Sequence, residues 1–383
     1  MRIALFTDTY QPQINGVTNT LDRMCRYFED QGIEYLIFAP HYGDPVAEKN
    51  VERFYSLKFF LYPECRITLP NVFRVHAALN EFRPDVIHLM TEFNMGLMGL
   101  NYALKNQIPV ISNYSTNFSQ YTDYYKIDLL RQGVSSYMNW FHNQCLLTTC
   151  PSRSAKAMLH TFGVPRTSIF SRGIDAGRFS PMHRNDILRR ELGLESKVAL
   201  LYVGRVAAEK DMDILRDSYE SIHSKYPDQV RLVMVGDGPM LETCRSTFPA
   251  DTLFMGFRKG HELAQIYASC DIFVSPSSTE TFGNVVLEAM ASGLAVVGAN
   301  AGGVGEIIRH LRTGLLFTAR SSPSMVQMVE KLIVDASFRT QLQQHGREYA
   351  LSQDWQQILD DLAGLYKGAI HEEQAEMLLS MQG

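Results

Sequence analysis

The sequence predicts an α/β protein made of two doubly wound parallel sheets that face each other across a cleft. Short apolar, β-branched runs alternate with segments of helical periodicity, which is typical of βαβ units around a buried parallel sheet. The alternation occurs in two successive series along the chain. With 383 residues, 45% hydrophobic and 20% charged, the chain has an ordinary globular composition and the length of about two domains.

The strands of both series are identified by these apolar runs. In the first series we expect strands at Ile3–Phe6, Tyr35–Ala39, Val86–Leu89, Val110–Ser112 and Leu146–Thr149. In the second series we expect them at Val198–Val203, Arg231–Val235, Thr252–Met255, Ile272–Val274 and Ala295–Val297. Two Rossmann-like domains in tandem follow from this pattern.

A polar stretch without strand or helix periodicity separates the two series. We place the linker there, at roughly 172–190, and divide the chain into domains at 1–180 and 181–354. The remaining segment, 355–383, is compatible with a helix that crosses back to the first domain. Its apolar face would consist of Ile358, Leu359, Leu362, Leu365 and Tyr366.

Composition excludes several classes of function. The net charge of −5 provides no global basic field, so we expect no nucleic-acid partner, and phosphate binding must come from local residues. The six cysteines lack paired CxxC spacing, so we expect reduced thiols and no metal site. No apolar run reaches the ~18 residues of a membrane span, and the opening run is too short for a signal peptide. We therefore expect a cytoplasmic protein.

Two glycine-containing turns are candidate phosphate sites. Gly16 stands between the first strand and a helical pattern, where backbone N–H groups and the helix N-terminus favour an anion. Gly204 follows another strand and precedes Arg205 and Lys210, two cations that can meet a diphosphate from two sides. An ordinary tight turn and a solvated basic loop are the alternatives.

Two carboxylates of different kind lie in the segment 275–293. Glu280 precedes the helix expected from about Phe282 to Gly293, whereas Glu288 lies inside it. Buried carboxylates need partners, and sugar hydroxyls can donate to them. The free N–H groups of Thr281, Phe282 and Gly283 would face a diphosphate. The alternatives are helix capping by Glu280 and a solvated face for Glu288.

These motifs together resemble glycosyltransferase family 4, whose members are retaining enzymes of GT-B architecture. The resemblance covers nearly the whole chain and is most specific from about 198 to 317. The opening residues are similar to members that transfer mannosyl or sulfoquinovosyl groups to lipids. The motifs that carry the resemblance to the family are Gly204-Arg205, Glu209-Lys210, Val235-Gly236-Asp237-Gly238-Pro239, Met255-Gly256-Phe257, Tyr267-Ala268, Cys270-Asp271, Glu280 to Glu288, Gly302-Gly303, Glu306, Thr313-Gly314-Leu315-Leu316 and Asp354-Trp355.

The resemblance implies a role for each matching position. It implies an acceptor-side first domain, a nucleotide-sugar-binding second domain, a diphosphate pair formed by Arg205 and Lys210, and donor-sugar contact through Glu280. Glu288 would hold the ribose, Phe257 would lie beside the nucleobase, and Gly16 would face the diphosphate. The remaining donor-binding positions are Gly204, Thr281, Phe282, Gly283 and Asn284.

One position departs from the family pattern. Ser115 stands where many members carry a histidine near the transferring carbon. Serine can hydrogen-bond a sugar hydroxyl but cannot act as a base near neutral pH. We therefore expect charge stabilisation by Arg205 and Lys210 to drive departure of the nucleotide diphosphate, with the leaving phosphate accepting the proton. The histidines His76, His88, His142 and His160 are interpreted as structural.

The predicted activity is transfer of a hexosyl unit from a UDP- or GDP-linked sugar to a lipid or cell-envelope glycan, without cofactor or metal. A sugar-nucleotide-binding regulator without catalytic activity is the alternative. A nicotinamide oxidoreductase is disfavoured because no GxGxxG fingerprint follows a strand. Aromatic and basic residues between Arg53 and Arg74 suggest peripheral contact with the inner face of the plasma membrane. The candidates there are Phe54, Tyr55, Lys58, Phe59, Phe60, Tyr62 and Arg66.

Overall fold

A computed structural model describes residues 1–43, 48–58, 66–115 and 128–382. They form two compact units. The first contains 1–115, 128–171 and the C-terminal segment from Trp355, and the second contains Arg172–Asp354. Phe59, Phe60 and Tyr62, expected on a membrane-facing surface, lie outside the described residues.

The first unit is built on a parallel sheet of seven strands in the order β3-β2-β1-β6-β7-β8-β9. A small antiparallel hairpin, β4 and β5, lies outside it. The strands are β1 Arg2–Phe6, β2 Glu34–Pro40, β3 Val51–Phe54, β4 Ser56–Lys58, β5 Arg66–Thr68, β6 Val86–Leu89, β7 Val110–Asn113, β8 Leu147–Cys150 and β9 Thr167–Ile169.

Helices cover this sheet and close its core. They are α1 Gly16–Asp30, α2 Val72–Phe82, α3 Asn94–Asn106, α4 Asp128–Asn143, α5 Arg153–Thr161 and the C-terminal helix Trp355–Gln382. The C-terminal helix buries Leu359, Leu362 and Tyr366 in the same core as Ile3 and Phe28. The apolar stripe read from the sequence is therefore the buried face of this helix.

The second unit has a parallel sheet of six strands in the order β12-β11-β10-β13-β14-β15. The strands are β10 Val198–Val203, β11 Val230–Val235, β12 Leu253–Gly256, β13 Ile272–Ser275, β14 Ala295–Ala299 and β15 Leu315–Phe317. Strand order reverses between β10 and β13, and such switch points are where open α/β sheets bind ligands, at the carboxyl ends of the strands. The two sheets confirm the predicted α/β class.

The helices of the second unit lie on both faces of its sheet, as the two core clusters flanking the strands show. They are α6 Asp186–Glu191, α7 Met212–Lys225, α8 Leu241–Thr247, α9 Gly260–Ala268, α10 Asn284–Ala291, α11 Val304–Ile307, α12 Ser322–Val334 and α13 Ala336–Leu351. Single 3₁₀ turns occupy Pro181–His183 and Ala208–Lys210. Within the described residues, no helix has the length and apolar character needed to cross a membrane.

The segment 172–190 is more ordered than its sequence suggested. The predicted linker, roughly 172–190, contains the start of α6, which begins after Asn185. The side chain of Asn185 accepts hydrogen bonds from the N–H groups of Ile187 and Leu188. The boundary between the units lies at 171/172, ahead of the predicted boundary at 180.

Candidate functional site

Two loops lie side by side at the carboxyl edge of the second sheet. β10 and β13 are hydrogen-bonded neighbours, with Leu200 opposite Ile272. The loop after β10 carries Arg205 and Lys210, and the loop after β13 carries Glu280. The topology therefore brings together three side chains that are up to 75 positions apart in the sequence.

Lys210 and Glu280 form the shortest ion pair between these loops. Lys210 Nζ lies 2.6 Å from Glu280 Oε1, and both side chains are mostly buried. The N-cap of the following helix is Gly283, and the Glu280 carboxyl accepts from Lys210 instead. A cation and a carboxylate thus meet where a phosphate and a sugar hydroxyl could be bound by one site.

Arg205 is held by a buried carboxylate that the sequence reasoning did not single out. Arg205 Nη1 lies 3.2 Å from Glu209 Oε1, and the Glu209 side chain has no exposed surface. The backbone oxygen of Glu209 accepts a hydrogen bond of 2.9 Å from Thr279 Oγ1. Glu209 therefore orients the guanidinium and also ties the first loop to the second.

Asp211 makes a second connection between the loops and was also missed. Its Oδ2 accepts hydrogen bonds from the backbone N–H of Ser278 at 2.8 Å and from Ser278 Oγ at 2.7 Å. The backbone of Asp211 is left-handed, with φ of 51°, a conformation that costs energy for a non-glycine residue. The only signal in the sequence was an acidic residue on each side of Lys210.

The loop that carries Glu280 is supported by the glycine pair Gly302-Gly303. Gly303 N–H donates to the Glu280 backbone oxygen at 2.8 Å. A Cβ on Gly302 would collide with that same oxygen, and a Cβ on Gly303 would collide with the backbone of Phe282. Only glycine allows this approach of the two backbones.

Helix α10 begins slightly later than the sequence suggested. Its first residue is Asn284, and Gly283 is the N-cap with φ of 105°. Thr281 and Phe282 lie in a bend before the helix, so the prediction that the helix begins near Phe282 was wrong by two residues. The Phe282 ring lies in the core. The N–H groups that open this helix belong to Asn284 and its successors.

Glu288 lies inside α10 and is partly exposed, but its carboxyl is not simply solvated. Tyr267 donates a hydrogen bond of 3.0 Å to Glu288 Oε2. Burial raises the pKa of Glu288 from 4.5 to about 7, against the lowering effects of the Tyr267 hydrogen bond and of the Arg178 charge. The alternative of a simply solvated face is therefore wrong for Glu288. Tyr267 was recognised from the sequence only within the Tyr267-Ala268 motif, without a role.

The other predicted nucleotide contacts of the second unit lie at strand ends. Gly204 directly follows β10, and the hydroxyl of Tyr202 donates to the backbone oxygen of Arg205 at 2.7 Å. Phe257 follows β12 and leaves 53% of its side chain exposed. An exposed ring at the carboxyl edge of a parallel sheet can lie against a planar base.

The remaining two predicted site residues belong to the first unit. Gly16 is the first residue of α1, where Asn15 Oδ1 accepts hydrogen bonds of 3.0 Å from the N–H groups of Val17 and Thr18. Two N–H groups expected to face an anion are thus used by the cap. Ser115 follows β7 and is partly buried.

Two histidines are buried and have structural partners. His88 Nδ1 is 2.6 Å from the hydroxyl of Tyr366, on the C-terminal helix. His142 Nδ1 is 2.9 Å from Ser112 Oγ. Both contacts fit the structural interpretation of these residues. The described part of the chain contains no group of three His, Cys, Asp or Glu side chains placed to hold a metal ion.

Comparison with protein families gives two adjoining matches. The model described as Glycosyltransferase Family 4 matches residues 14–178. The model described as Glycosyl transferases group 1 matches residues 197–335. The second match contains the two loops, the glycine pair and α10.

Curated relatives match over most of the chain. A GDP-mannose-dependent alpha-mannosyltransferase of Mycobacterium tuberculosis is 32% identical over 381 residues, covering 96% of each protein. The sulfoquinovosyl transferase SQD2 of Arabidopsis thaliana is 30% identical, covering 92% of this chain and 71% of its own length. An alpha-monoglucosyldiacylglycerol synthase of Streptococcus pneumoniae is 29% identical, covering 83% of this chain and 75% of the relative.

Solved structures share the fold. Sucrose-phosphate synthase from Thermosynechococcus elongatus matches with a TM-score of 0.78 at 19% identity, covering 97% of this chain and 99% of the other. Anabaena Alr3699/HepE in complex with UDP matches with a TM-score of 0.75 at 21% identity, covering 96% and 100%. At this identity the likeness concerns the fold alone, which is the GT-B architecture.

Proposed function

This chain belongs to glycosyltransferase family 4, and from that membership we propose that it transfers a hexosyl unit from a nucleotide diphosphate sugar to a lipid or cell-envelope glycan, with retention of configuration. The protein is a glycosyltransferase. The observation that carries the finer proposal is the meeting of Arg205, Lys210 and Glu280 at one sheet edge. UDP- and GDP-linked sugars are both candidate donors, since one relative is named as GDP-mannose-dependent and a solved structure of the same fold holds UDP.

The proposed chemistry follows from the charges at this edge. Arg205 and Lys210 stabilise the negative charge that develops on the departing diphosphate, the group that most needs stabilisation in the transition state. Glu280 accepts hydrogen bonds from donor-sugar hydroxyls, and Glu288 accepts them from the ribose. The N–H groups at the start of α10, beside Gly283 and Asn284, offer further donors to phosphate.

Proton transfer in this proposal needs no protein base. The leaving phosphate accepts the proton of the acceptor hydroxyl, and Ser115 only hydrogen-bonds the sugar. Gly204 and Phe257, at strand ends of the second unit, line the nucleotide. Two cations replace a metal ion at the diphosphate, so we propose that the enzyme works without metal or cofactor.

The test replaces each cation by alanine and measures turnover with UDP- and GDP-sugars. Arg205→Ala and Lys210→Ala should each lower turnover by roughly 10²-fold or more. Turnover is measured below the unfolding temperature of each variant, because Arg205→Ala also leaves the buried Glu209 without its cation. Lys225→Ala is the matched control, because Lys225 pairs with Glu330 on the same unit, away from the two loops. Wild-type turnover in both variants would end the proposal, and loss of activity in EDTA with recovery on adding manganese would overturn metal independence.

The same assay separates an enzyme from a regulator. The missing histidine at Ser115 is the feature that favours a protein that binds sugar nucleotides without transferring them. Such a regulator would be stabilised by the donor, by about 2.7 kcal/mol at 100 times its dissociation constant. It would release neither product nor free nucleotide diphosphate.

We propose a lipid acceptor and peripheral membrane attachment, on the basis of an exposed apolar surface on the first unit. Leu57 of β4 pairs with Ile67 of β5, and both side chains are exposed. Tyr55 and Leu69 lie on the same face two residues away, and Phe73 at the start of α2 is 87% exposed. We call these five residues the hairpin surface. Apolar patches of this kind support contact with a membrane.

The arginines near this surface have partners of their own. Arg53 pairs with Glu48, Arg74 pairs with Glu52, and Arg66 donates to Ser56. The proposed attachment is therefore mainly apolar rather than electrostatic. It predicts binding that depends weakly on salt and on the fraction of anionic lipid.

Vesicle sedimentation measures this attachment. Phe73→Ser should weaken partition into phosphatidylcholine vesicles containing phosphatidylglycerol by roughly tenfold, because one aromatic side chain that the membrane would bury is lost. Met182→Ser is the control, since Met182 is 91% exposed on the second unit. Equal partition of both variants and the wild type would contradict attachment through the hairpin surface.

A further inference from the structure

Tyr267 is the group that most closely controls the carboxyl of Glu288. It lies in α9, has no exposed surface, and donates to Glu288 Oε2 at 3.0 Å. We propose that Tyr267 is a positioning residue that holds Glu288 oriented and ionised for the ribose of the nucleotide. This inference rests on the proposed function, because it takes Glu288 as the ribose-binding carboxylate.

The ring of Tyr267 is fixed before it meets Glu288. It packs edge-on against Phe179, with ring centroids 5.5 Å apart, and against Phe273 at 6.0 Å. A fixed phenol gives its hydroxyl one position, so the hydrogen bond also fixes the Glu288 rotamer. The second oxygen of the carboxylate is then held in a set direction for a ligand hydroxyl.

The phenol can serve Glu288 in either protonation state. Its hydroxyl is 3.0 Å from Glu288 Oε2 and 3.5 Å from the backbone oxygen of Val285. It donates to the carboxylate when Glu288 is ionised. When Glu288 is protonated, the hydroxyl can donate to Val285 and accept from the acid.

The elements packed against α10 carry further charged or titratable groups, among them His261 and Glu262 of α9. Arg178, on the segment before α6, lowers the pKa of Glu288. Arg347 of α13 donates to the backbone oxygen of Ala291, and Glu306 lies on α11. Burial is the larger influence and raises the pKa of Glu288 to about 7, so loss of the Tyr267 hydrogen bond should raise it further.

The first experiment measures the free energy of unfolding of Tyr267→Phe and does not depend on any ligand. A raised native pKa means that the folded protein loses stability as pH rises from 4.5 through 7. Tyr267→Phe extends this loss to higher pH, so its destabilisation should be greater at pH ~8.5 than at pH ~5.5. The pH-dependent part should vanish in a Glu288→Gln background.

Tyr219→Phe is the matched control for this measurement. Tyr219 is equally buried in the same unit, and its hydroxyl contacts Asp251 and the N–H of Leu232. Its destabilisation should not depend on Glu288. A cost for Tyr267→Phe that is constant with pH, or unchanged in the Glu288→Gln background, would overturn the proposal.

The second experiment measures the dissociation constants of UDP and GDP by calorimetry. A pKa increase of about one unit leaves roughly fivefold less ionised Glu288 at pH ~7 and nearly the same amount at pH ~9. Tyr267→Phe should therefore weaken nucleotide binding about fivefold at pH ~7. The difference in dissociation constant between the variant and the wild type should be smaller at pH ~9. Unchanged affinity at both pH values would overturn the positioning role.

The two experiments separate this inference from the proposed function. If Glu288→Gln binds both nucleotides as tightly as the wild type, the ribose role of Glu288 fails, and the positioning role for that ribose fails with it. If Glu288→Gln weakens binding but Tyr267→Phe does not, the ribose role stands and only the role of Tyr267 is lost.

Discussion

At the scale of single residues, the two carboxylates of the site differ in their partners. Glu280 pairs with the ammonium of Lys210, whereas Glu288 accepts from a neutral phenol. In the proposed function, the carboxylate beside the Lys210 ammonium contacts the sugar end of the donor. The carboxylate inside α10, beside Tyr267, contacts the nucleoside end.

We predict that glutamine substitutions at Glu280 and Glu288 have different effects, the first mainly on turnover and the second mainly on nucleotide affinity. Glu280→Gln should lower turnover by roughly 10²-fold and change the dissociation constant of the bare nucleotide by less than about threefold. Glu288→Gln should raise the dissociation constant of the bare nucleotide, because two ribose hydroxyls lose an ionised acceptor. Kinetics with the sugar donor and calorimetry with UDP or GDP give both quantities, and equal losses of nucleotide affinity in both variants would contradict the division.

The sequence predicted the charged residues proposed to contact the donor, but not the roles of the residues that position them. Arg205, Lys210 and Glu280 stand in recognisable positions next to strand ends. Glu209 was recognised only as part of the Glu209-Lys210 motif, and Asp211 was not recognised at all, because their partners Thr279 and Ser278 lie about 70 positions away. Such contacts depend on β10 and β13 being neighbours in the sheet, which sequence spacing does not give.

At the scale of elements, the loop between β13 and α10 depends on a neighbouring glycine turn. Gly302 has φ of 52°, and a Cβ there would meet the backbone oxygen of Glu280. The backbone of Glu280 must move if any side chain is added at Gly302. Its carboxyl would then leave the position beside Lys210.

We predict that Gly302→Ala destabilises the protein by about 1–3 kcal/mol and lowers turnover more than its loss of stability explains. Gly364→Ala is the control, because Gly364 lies in the C-terminal helix with nothing within 4 Å of an added Cβ. Alanine there should be neutral or stabilise by up to about 1 kcal/mol. Denaturant unfolding and turnover at saturating donor measure both; a Gly302→Ala enzyme with normal activity would show that the close approach is unnecessary.

Long apolar strands were predictable and short elements were not. All ten predicted strands occur, with bounds within one residue at each end except at Ala295–Ala299, which is two residues longer than expected. Thr167–Ile169 and Leu315–Phe317 have three residues each, too few for a periodicity. Helix α6 lacks an apolar stripe and is anchored by buried Arg189, which donates to the backbone oxygens of Ser269 and Leu194.

At the scale of the whole molecule, the chain returns to its first unit after completing the second. The C-terminal helix begins at Trp355, and its buried face belongs to the core of the first sheet. Tyr366 contacts His88 of β6, and Asp360 accepts from the hydroxyl of Tyr27 at 2.6 Å. The sequence predicted the apolar stripe of this helix and its return to the first domain, although periodicity alone does not identify which side chains of that core receive it.

The first unit should therefore depend on the last helix for its stability. Leu362 is 1% exposed in the core of the first unit, and Leu332 is 0% exposed in the core of the second. Leu362→Ala should cost about 2–5 kcal/mol, from lost transfer energy and the cavity left behind, and Leu332→Ala should cost a similar amount in the other unit.

Hydrogen exchange distinguishes where each cost falls. In Leu362→Ala, the amides of Ile3–Phe6 and Val86–Leu89 should exchange faster, while those of Val198–Val203 keep the wild-type rate, because local opening follows the core that lost its packing. Leu332→Ala should give the reverse pattern. If Leu362→Ala instead accelerates exchange equally in both sheets, the two units unfold as one cooperative block and the last helix stabilises the whole molecule rather than its first unit.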